Sequence, residues 1–139
     1  MISPDVVAAA VARAKAQLGK PYLLDAKWEI NDENPVGPVD CSGFSKWVLA
    51  PCGITLPDGS YNQIKVCTKL DGAQLTSPPP LCLGFFEQTV IVDHVIVVQD
   101  EENVIEARGE PYNAVINRPI AKWLAQAGFL GFYAPPGLL

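Results

Sequence analysis

A chain of 139 residues is long enough to bury the core of one ordinary domain, and one domain spanning 1–139 is expected. Hydrophobic residues make up 49% of it and charged residues 18%, a balance that excludes intrinsic disorder because apolar burial can offset chain entropy. The formal net charge of −5 counts against nucleic acid as a partner, and no run approaches the roughly 20 apolar residues of a membrane span.

The first residues, MISPDVVAAAVARAKAQLG, have neither a basic start nor a long apolar run, so no signal peptide is expected. Ser3-Pro4-Asp5 supplies an N-cap, a first-turn proline and an acidic residue at the positive end of a helix. Val7, Val11, Ala14 and Leu18 recur at helical spacing up to Gly19, which predicts a helix over 4–18. From Lys20 to Pro38 the periodicity is lost among Asn31, Asp32, Asn34, Pro35 and Gly37. A loop of that length is more often functional than not, and it is placed to wall a cleft, against the plainer reading of a surface insertion.

A second helix is predicted to start at or next to Cys41 and to end at Pro51, with Phe44, Trp47 and Val48 on one face. A turn-rich connection leads to a short helix over 61–68. Beyond Pro78-Pro79-Pro80, strands are predicted over 81–86 and 89–98, the second apolar on both faces and therefore an inner strand. Residues 99–103 read as a hairpin tip before a strand over 104–108, then a helix over 120–127 and a closing strand over 129–134. Helices first and strands afterwards make an α+β domain, with N-terminal helices packed on a mostly antiparallel sheet.

The cysteines at 41, 52, 67 and 82 form no close pair, and one histidine cannot complete a zinc site, so no metal or cofactor is expected. With Cys41 reserved for chemistry, the other three form at most one disulfide and otherwise serve as small buried hydrophobes. A cysteine attacks as thiolate, and a helix N-terminus favours that form. Gly43 beside it would let a substrate backbone approach without a side chain in the way. The sole histidine, His94, is then the base that activates the thiol and protonates the leaving amine; the plainer reading is a hydrogen-bonded core residue.

A hairpin pairing Val98 with Glu102, or Val97 with Asn103, places His94 directly opposite Glu106 on one face, close enough for the carboxylate to orient the imidazole. The set Cys41, His94 and Glu106 then forms a triad. The plainer role for Glu106 is a salt bridge to Arg108 or a solvated strand face.

Leu18-Gly19-Lys20-Pro21-Tyr22, Asp40-Cys41-Ser42-Gly43-Phe44, Gly53-Ile54 followed by Leu56-Pro57, Ser60 and Gln63, and Asp93-His94-Val95 together resemble the motifs of the NlpC-type cell-wall peptidases, which are papain-like cysteine enzymes. The resemblance spans most of the chain. It implies that Cys41 is the nucleophile and His94 the base, and that Glu106 fills the slot of the residue orienting the histidine, more often His, Asn or Gln. It further implies that Tyr22 stabilises the oxyanion with the Cys41 amide, and that Asp40 and Ser42 hold the free amine of the substrate's first alanine, unless they only cap the helix. A Gly-Asp usual before the aromatic strand is Leu81-Cys82 here.

The implied activity is hydrolysis of the γ-D-glutamyl amide to a diamino acid in peptidoglycan stem peptides, by a monomer. The alternatives are a papain-like amidase, deamidase or acyltransferase on another substrate, or a non-catalytic phage component. Without a signal peptide, a protein made in the cytoplasm would reach the bacterial wall by phage-type or specialised export.

Overall fold

The computed structural model describes residues 2–88 and 90–139. Helix α1 spans Pro4–Lys15: the Ser3 hydroxyl accepts from the Val6 amide at 3.3 Å, while Arg13 and Lys15 occupy the negative end. It stops short of the expected Leu18, and the chain turns through Gly19, whose φ of +90° suits glycine. Residues 19–22 then run along a sheet edge.

The sheet has six strands: β1 Thr68–Lys69, β2 Leu83–Glu87, β3 Val92–Val98, β4 Asn103–Arg108, β5 Ala114–Pro119 and β6 Phe129–Ala134. Their order is β1-β6-β2-β3-β4-β5, with neighbours antiparallel. The short β1, and β5 as a separate strand, carry no strand signal legible in the sequence; they form because β6 and β4 present edges to pair with. Beyond β5, the Gly19 amide donates to the Val115 carbonyl at 2.9 Å and Val115 returns a bond to Lys20 at 2.8 Å, which covers that edge. As expected, β3 is internal, lying between β2 and β4. Thr89, where that strand was expected to begin, lies outside the described residues.

Helix α2, Cys41–Leu49, is the central helix: Phe44, Trp47, Val48 and Leu49 are fully buried, and it packs on β3 and β4. Helix α3 spans Ser60–Val66, and the last helix, α4, spans Ile120–Leu124. The long segment between α1 and α2 has no regular structure but is tied down. Trp28 is buried edge-on against Phe44 and Trp47, and its indole donates to the Gly37 carbonyl at 3.1 Å. Trp47 in turn donates to the Asp32 carbonyl at 2.8 Å, and Arg13 stacks 3.5 Å above its ring. The surface-insertion reading therefore fails, because the loop buries its own Trp28 in the core and accepts a hydrogen bond from Trp47 of α2. Among the described residues, no helix is long and apolar enough to cross a membrane.

Candidate active site

Asp40 sets the start of α2. Its backbone is extended, with φ −94° and ψ 178°, and its Oδ1 accepts from the Gly43 amide at 2.7 Å. Cys41 is thereby the first helical residue, where backbone N–H groups have no intrahelical acceptor and the helix dipole favours negative charge. It retains 8% of its surface. Helix α3 fixes the distance from α2 to the strand bearing His94. Fully buried Gln63 donates to the carbonyls of Ser42 at 2.9 Å and Pro57 at 3.0 Å and accepts from Ser45 at 2.7 Å, while Ser60 donates to the Val92 carbonyl at 3.2 Å. A chain of hydrogen bonds thus runs from the nucleophile helix to the start of β3.

His94 Nε2 lies 2.9 Å from Glu106 Oε1. Glu106 is completely buried, and its second oxygen accepts from the Trp123 indole at 2.9 Å, while Arg108 donates to the first at 3.3 Å. The Trp123 ring stacks on the imidazole at 5.5 Å and 29°. Burial alone would disfavour a charged imidazole, but hydrogen bonds to Cys41 and Glu106, and the negative charge of both, outweigh it and lift His94 to about 9. The carboxyl of Glu106, although desolvated, is held below its ordinary range by His94, Trp123 and Arg108. With Nε2 committed to Glu106, Nδ1 is the ring nitrogen left to exchange a proton with Cys41.

His94 and Glu106 meet by a route different from the one expected. The hairpin pairs Val98 with Val104 and Val97 with Ile105, so continuing the ladder sets His94 opposite Arg108 and one diagonal step from Glu106. The cause is Asp100, whose Oδ1 accepts from the amides of Glu102 at 2.9 Å and Asn103 at 2.8 Å; this fixes Asp100-Glu101-Glu102 as the tip, one residue later than expected. The slip is an even number of positions, so Glu106 stays on the same face, and a diagonal neighbour is within reach of long side chains.

Tyr22 is joined to Val39 by a parallel bridge and donates its amide to Asn113 at 2.9 Å. Burial, together with Cys41, Asp40, Asp25 and Asp93 as negative neighbours, pushes its hydroxyl up to about 12, so it remains a donor. Asp40 and Ser42 are engaged already. Asp40 Oδ2 accepts from the Asp25 amide at 3.1 Å and pairs with the Lys27 ammonium, which also lies 3.4 Å from the Ser42 hydroxyl. Helix capping and anchorage of residues 25–27 are thus the contacts these two residues make. Gly43 serves the same anchorage rather than open approach: a Cβ there would lie 2.9 Å from both Asp40 Oδ1 and Lys27 Cδ and 3.0 Å from the Ala26 carbonyl.

All four cysteines are free. Burial pushes Cys67 up to about 11 and, with Cys67 beside it, Cys82 up to about 12, which leaves both protonated, Cys82 in the core and Cys67 half-buried against it. Among the described residues, no group of three His, Cys, Asp or Glu side chains could hold a metal ion. A cavity of about 180 Å³ opens beside His94 and is also lined by Asp93, Arg108 and Trp123. A larger one of about 720 Å³, lined by Arg13, Glu33 and Lys46, includes none of these groups.

The sequence model of the NlpC/P60 family matches residues 19–132. The chain belongs to the NlpC/P60 family. It is 32% identical over 124 residues to a protein named probable endopeptidase p60 from Listeria innocua, and 31% identical over 122 residues to the Listeria monocytogenes protein of the same name. These alignments take in 86% and 85% of this chain but 24% and 23% of those proteins. Among solved structures, the NlpC/P60 domain of the peptidoglycan hydrolase SagA is 25% identical with a TM-score of 0.67, covering 92% of this chain and 97% of that one. RipD from Mycobacterium tuberculosis, described as a non-catalytic NlpC/P60 protein adapted to peptidoglycan binding, is 21% identical with a TM-score of 0.72 over 94% and 97%. The papain-like α+β fold expected from the sequence is the fold of these NlpC/P60 domains.

Two residues of this NlpC/P60 site have no signal in the sequence. Trp123 reads there only as the apolar side of a short helix, and Arg108 as a salt-bridge partner of Glu106, which it is. Nothing in their spacing announces that Glu106 collects three N–H donors, because they approach it from α4 and from two positions along the sheet.

Proposed function

We propose that this domain is a cysteine peptidase of bacterial cell-wall peptide, hydrolysing the γ-D-glutamyl amide to a diamino acid. The observation carrying this reading is the arrangement of Cys41 at the first position of α2, one of the groups that lift His94, and of His94 with its far nitrogen on the buried Glu106. The family and the names of its relatives support the substrate class. The fold is shared with a protein described as non-catalytic, so the side-chain cluster, not the fold, is the ground for assigning catalysis.

In the reaction proposed, the Cys41 proton passes to His94 Nδ1 and the sulfur attacks the γ-carbonyl carbon. The Cys41 backbone amide and the Tyr22 hydroxyl serve as donors to the oxyanion. The C–N bond then breaks as Nδ1 gives its proton to the leaving amine, and a thioester remains on Cys41. Water, losing a proton to Nδ1, adds to the thioester; its collapse frees the glutamyl carboxylate and returns the proton to sulfur. Glu106 keeps Nε2 protonated and the ring in plane throughout. A histidine lifted to about 9 keeps at neutral pH the proton it takes from Cys41, which suits the step that expels the amine.

Mass spectrometry of purified peptidoglycan, of both diaminopimelate and lysine types, after incubation with the protein is the direct test. New fragments ending in D-glutamate, absent with Cys41→Ala, are the expected result. Intact peptidoglycan and intact soluble stem peptides would refute the proposal.

A further inference from the structure

Two arginines converge on the same two aromatic rings. The guanidinium carbon of Arg108 stands 5.0 Å from the centre of the Trp123 ring and 5.4 Å from that of Tyr112. The Arg118 carbon stands 5.2 Å and 6.0 Å from the same two centres. Strand register brings them together. Arg108 on β4 pairs with Ala114, and Arg118 on β5 pairs with Val104, so both side chains leave the sheet on the face that carries Glu106. Trp123, held on Glu106 from α4, is the ring they share.

These positive charges are short of acid. Among the described residues Arg118 makes no ion pair, and Arg108 meets only Glu106, at 3.3 Å. That carboxylate already accepts from His94 and from Trp123, each at 2.9 Å. Asp93 lines the small cavity beside Arg108 but lies beyond ion-pair distance of it. Both guanidiniums are half-buried, so water screens their mutual repulsion only in part, and attraction to the two rings offsets some of the cost. Tyr112 is exposed, which leaves the space between the arginines open to solvent.

The shape of the donors decides what would fill that space. Each guanidinium presents its N–H groups as a rigid planar fork, and Arg108 gives only one of its nitrogens to Glu106. A carboxylate, with two oxygens and a single charge, is matched by one fork. A phosphate group has three free oxygens and close to two charges, and can accept from two forks at once. We propose that Arg108 and Arg118, walled by Trp123 and Tyr112, form a binding site for a phosphate group, linked to His94 only through Glu106. Arg108 then divides its donors between the phosphate and Glu106 Oε1, the atom that holds the imidazole, so occupancy is felt at the ring.

Titration with inorganic phosphate at about pH 8 and constant ionic strength, followed by the Hε1 resonance of the one histidine, tests this. The expected result is a saturable shift, with acetate needing about tenfold more to reach the same point and chloride giving none. Arg118→Met should raise the phosphate Kd by about tenfold, the scale of one charge-assisted hydrogen bond. Arg118→Lys keeps the charge but loses the fork, and a smaller loss is expected there; it serves alone if the methionine variant folds poorly. A parallel titration with glycerol 3-phosphate separates the sources. Saturation at lower concentration than inorganic phosphate assigns the site to a phosphate carried on a larger molecule, and saturation at higher concentration assigns it to the free ion. A shift that never saturates, one that chloride reproduces, or a Kd unchanged in both Arg118 variants overturns the inference. The measurement needs no turnover, so the peptidase reading stands or falls separately.

Discussion

Replacing Glu106 by glutamine keeps the side chain's size, removes its charge and leaves too few acceptors for the donors around it. The two carboxylate oxygens accept from different donors, His94 and Trp123, each at 2.9 Å. An amide has one oxygen, so its NH₂ must face one of those N–H groups, and a buried donor goes unpaired at a cost of roughly 1–3 kcal/mol. The imidazolium also loses its charged acceptor, worth about 1.5–3 kcal/mol, or roughly one to two pKa units. The chain holds a single histidine, so its Hε1 resonance is unambiguous in an NMR titration. We expect the histidine to titrate at about 9 in the native protein and at roughly 7–8 in Glu106→Gln.

Stability carries the same information. The folded pKa of His94 lies above its unfolded value of 6.5, so its contribution is fully present below pH 6.5 and is lost as pH rises through about 9. At about 1.4 kcal/mol per unit, that loss is on the order of 3 kcal/mol. Glu106, held below its ordinary range, contributes in the opposite sense: its share is present above its unfolded pKa and fades as pH falls through its lower folded value. Urea unfolding from about pH 6 to about pH 10 should show the alkaline loss in the native protein and a smaller one, complete at lower pH, in the variant. A histidine titration unmoved by Glu106→Gln would refute the claim that this carboxylate governs the imidazole.

Trp123→Phe retains a ring against the imidazole but deletes the donor to Glu106 Oε2. Stability should fall by about 1–2 kcal/mol and kcat by about tenfold with KM little changed, read by thermal unfolding and steady-state kinetics. Gly43→Ala places a methyl against the Ala26 carbonyl and Lys27, and a backbone atom cannot swing away; we expect about 1–3 kcal/mol of destabilisation and faster hydrogen exchange at the amide of Asp25, which Asp40 holds. Gln63→Ala strips three hydrogen bonds, two of them buried, between α2, α3 and the loop before it, which should cost about 2–4 kcal/mol in urea unfolding and loosen the spacing of Cys41 from His94.

Local chemistry made much of the domain legible from its residues alone. Ser3-Pro4-Asp5 and Asp40-Cys41 announce helix starts because capping depends on a few adjacent atoms. The dense β-branched run up to Val98 announces an inner strand because both of its faces must be apolar. Cys41 and His94 stood out by scarcity, one thiol at a helix start and one imidazole in an apolar strand. Glu106 was found for a reason that survived an incorrect register: faces depend on parity, and the Asp100 turn shifted the pairing by an even number.

Other features were decided only when distant segments met. The two-residue β1 exists because β6 offers it an edge, and the coil over 19–22 lies straight because β5 does the same. Trp123 reaches Glu106 across 17 positions of sequence, and the register shift that leaves Asp93 without a partner on β2 comes from the pairing of β3 with β2. Lys27, 13 positions before the carboxylate it binds, is in sequence merely one more surface lysine. Capping and strand-face preference act over a few bonds and are written in the local sequence, whereas a buried carboxylate acquires its donors only from the packing that buries it.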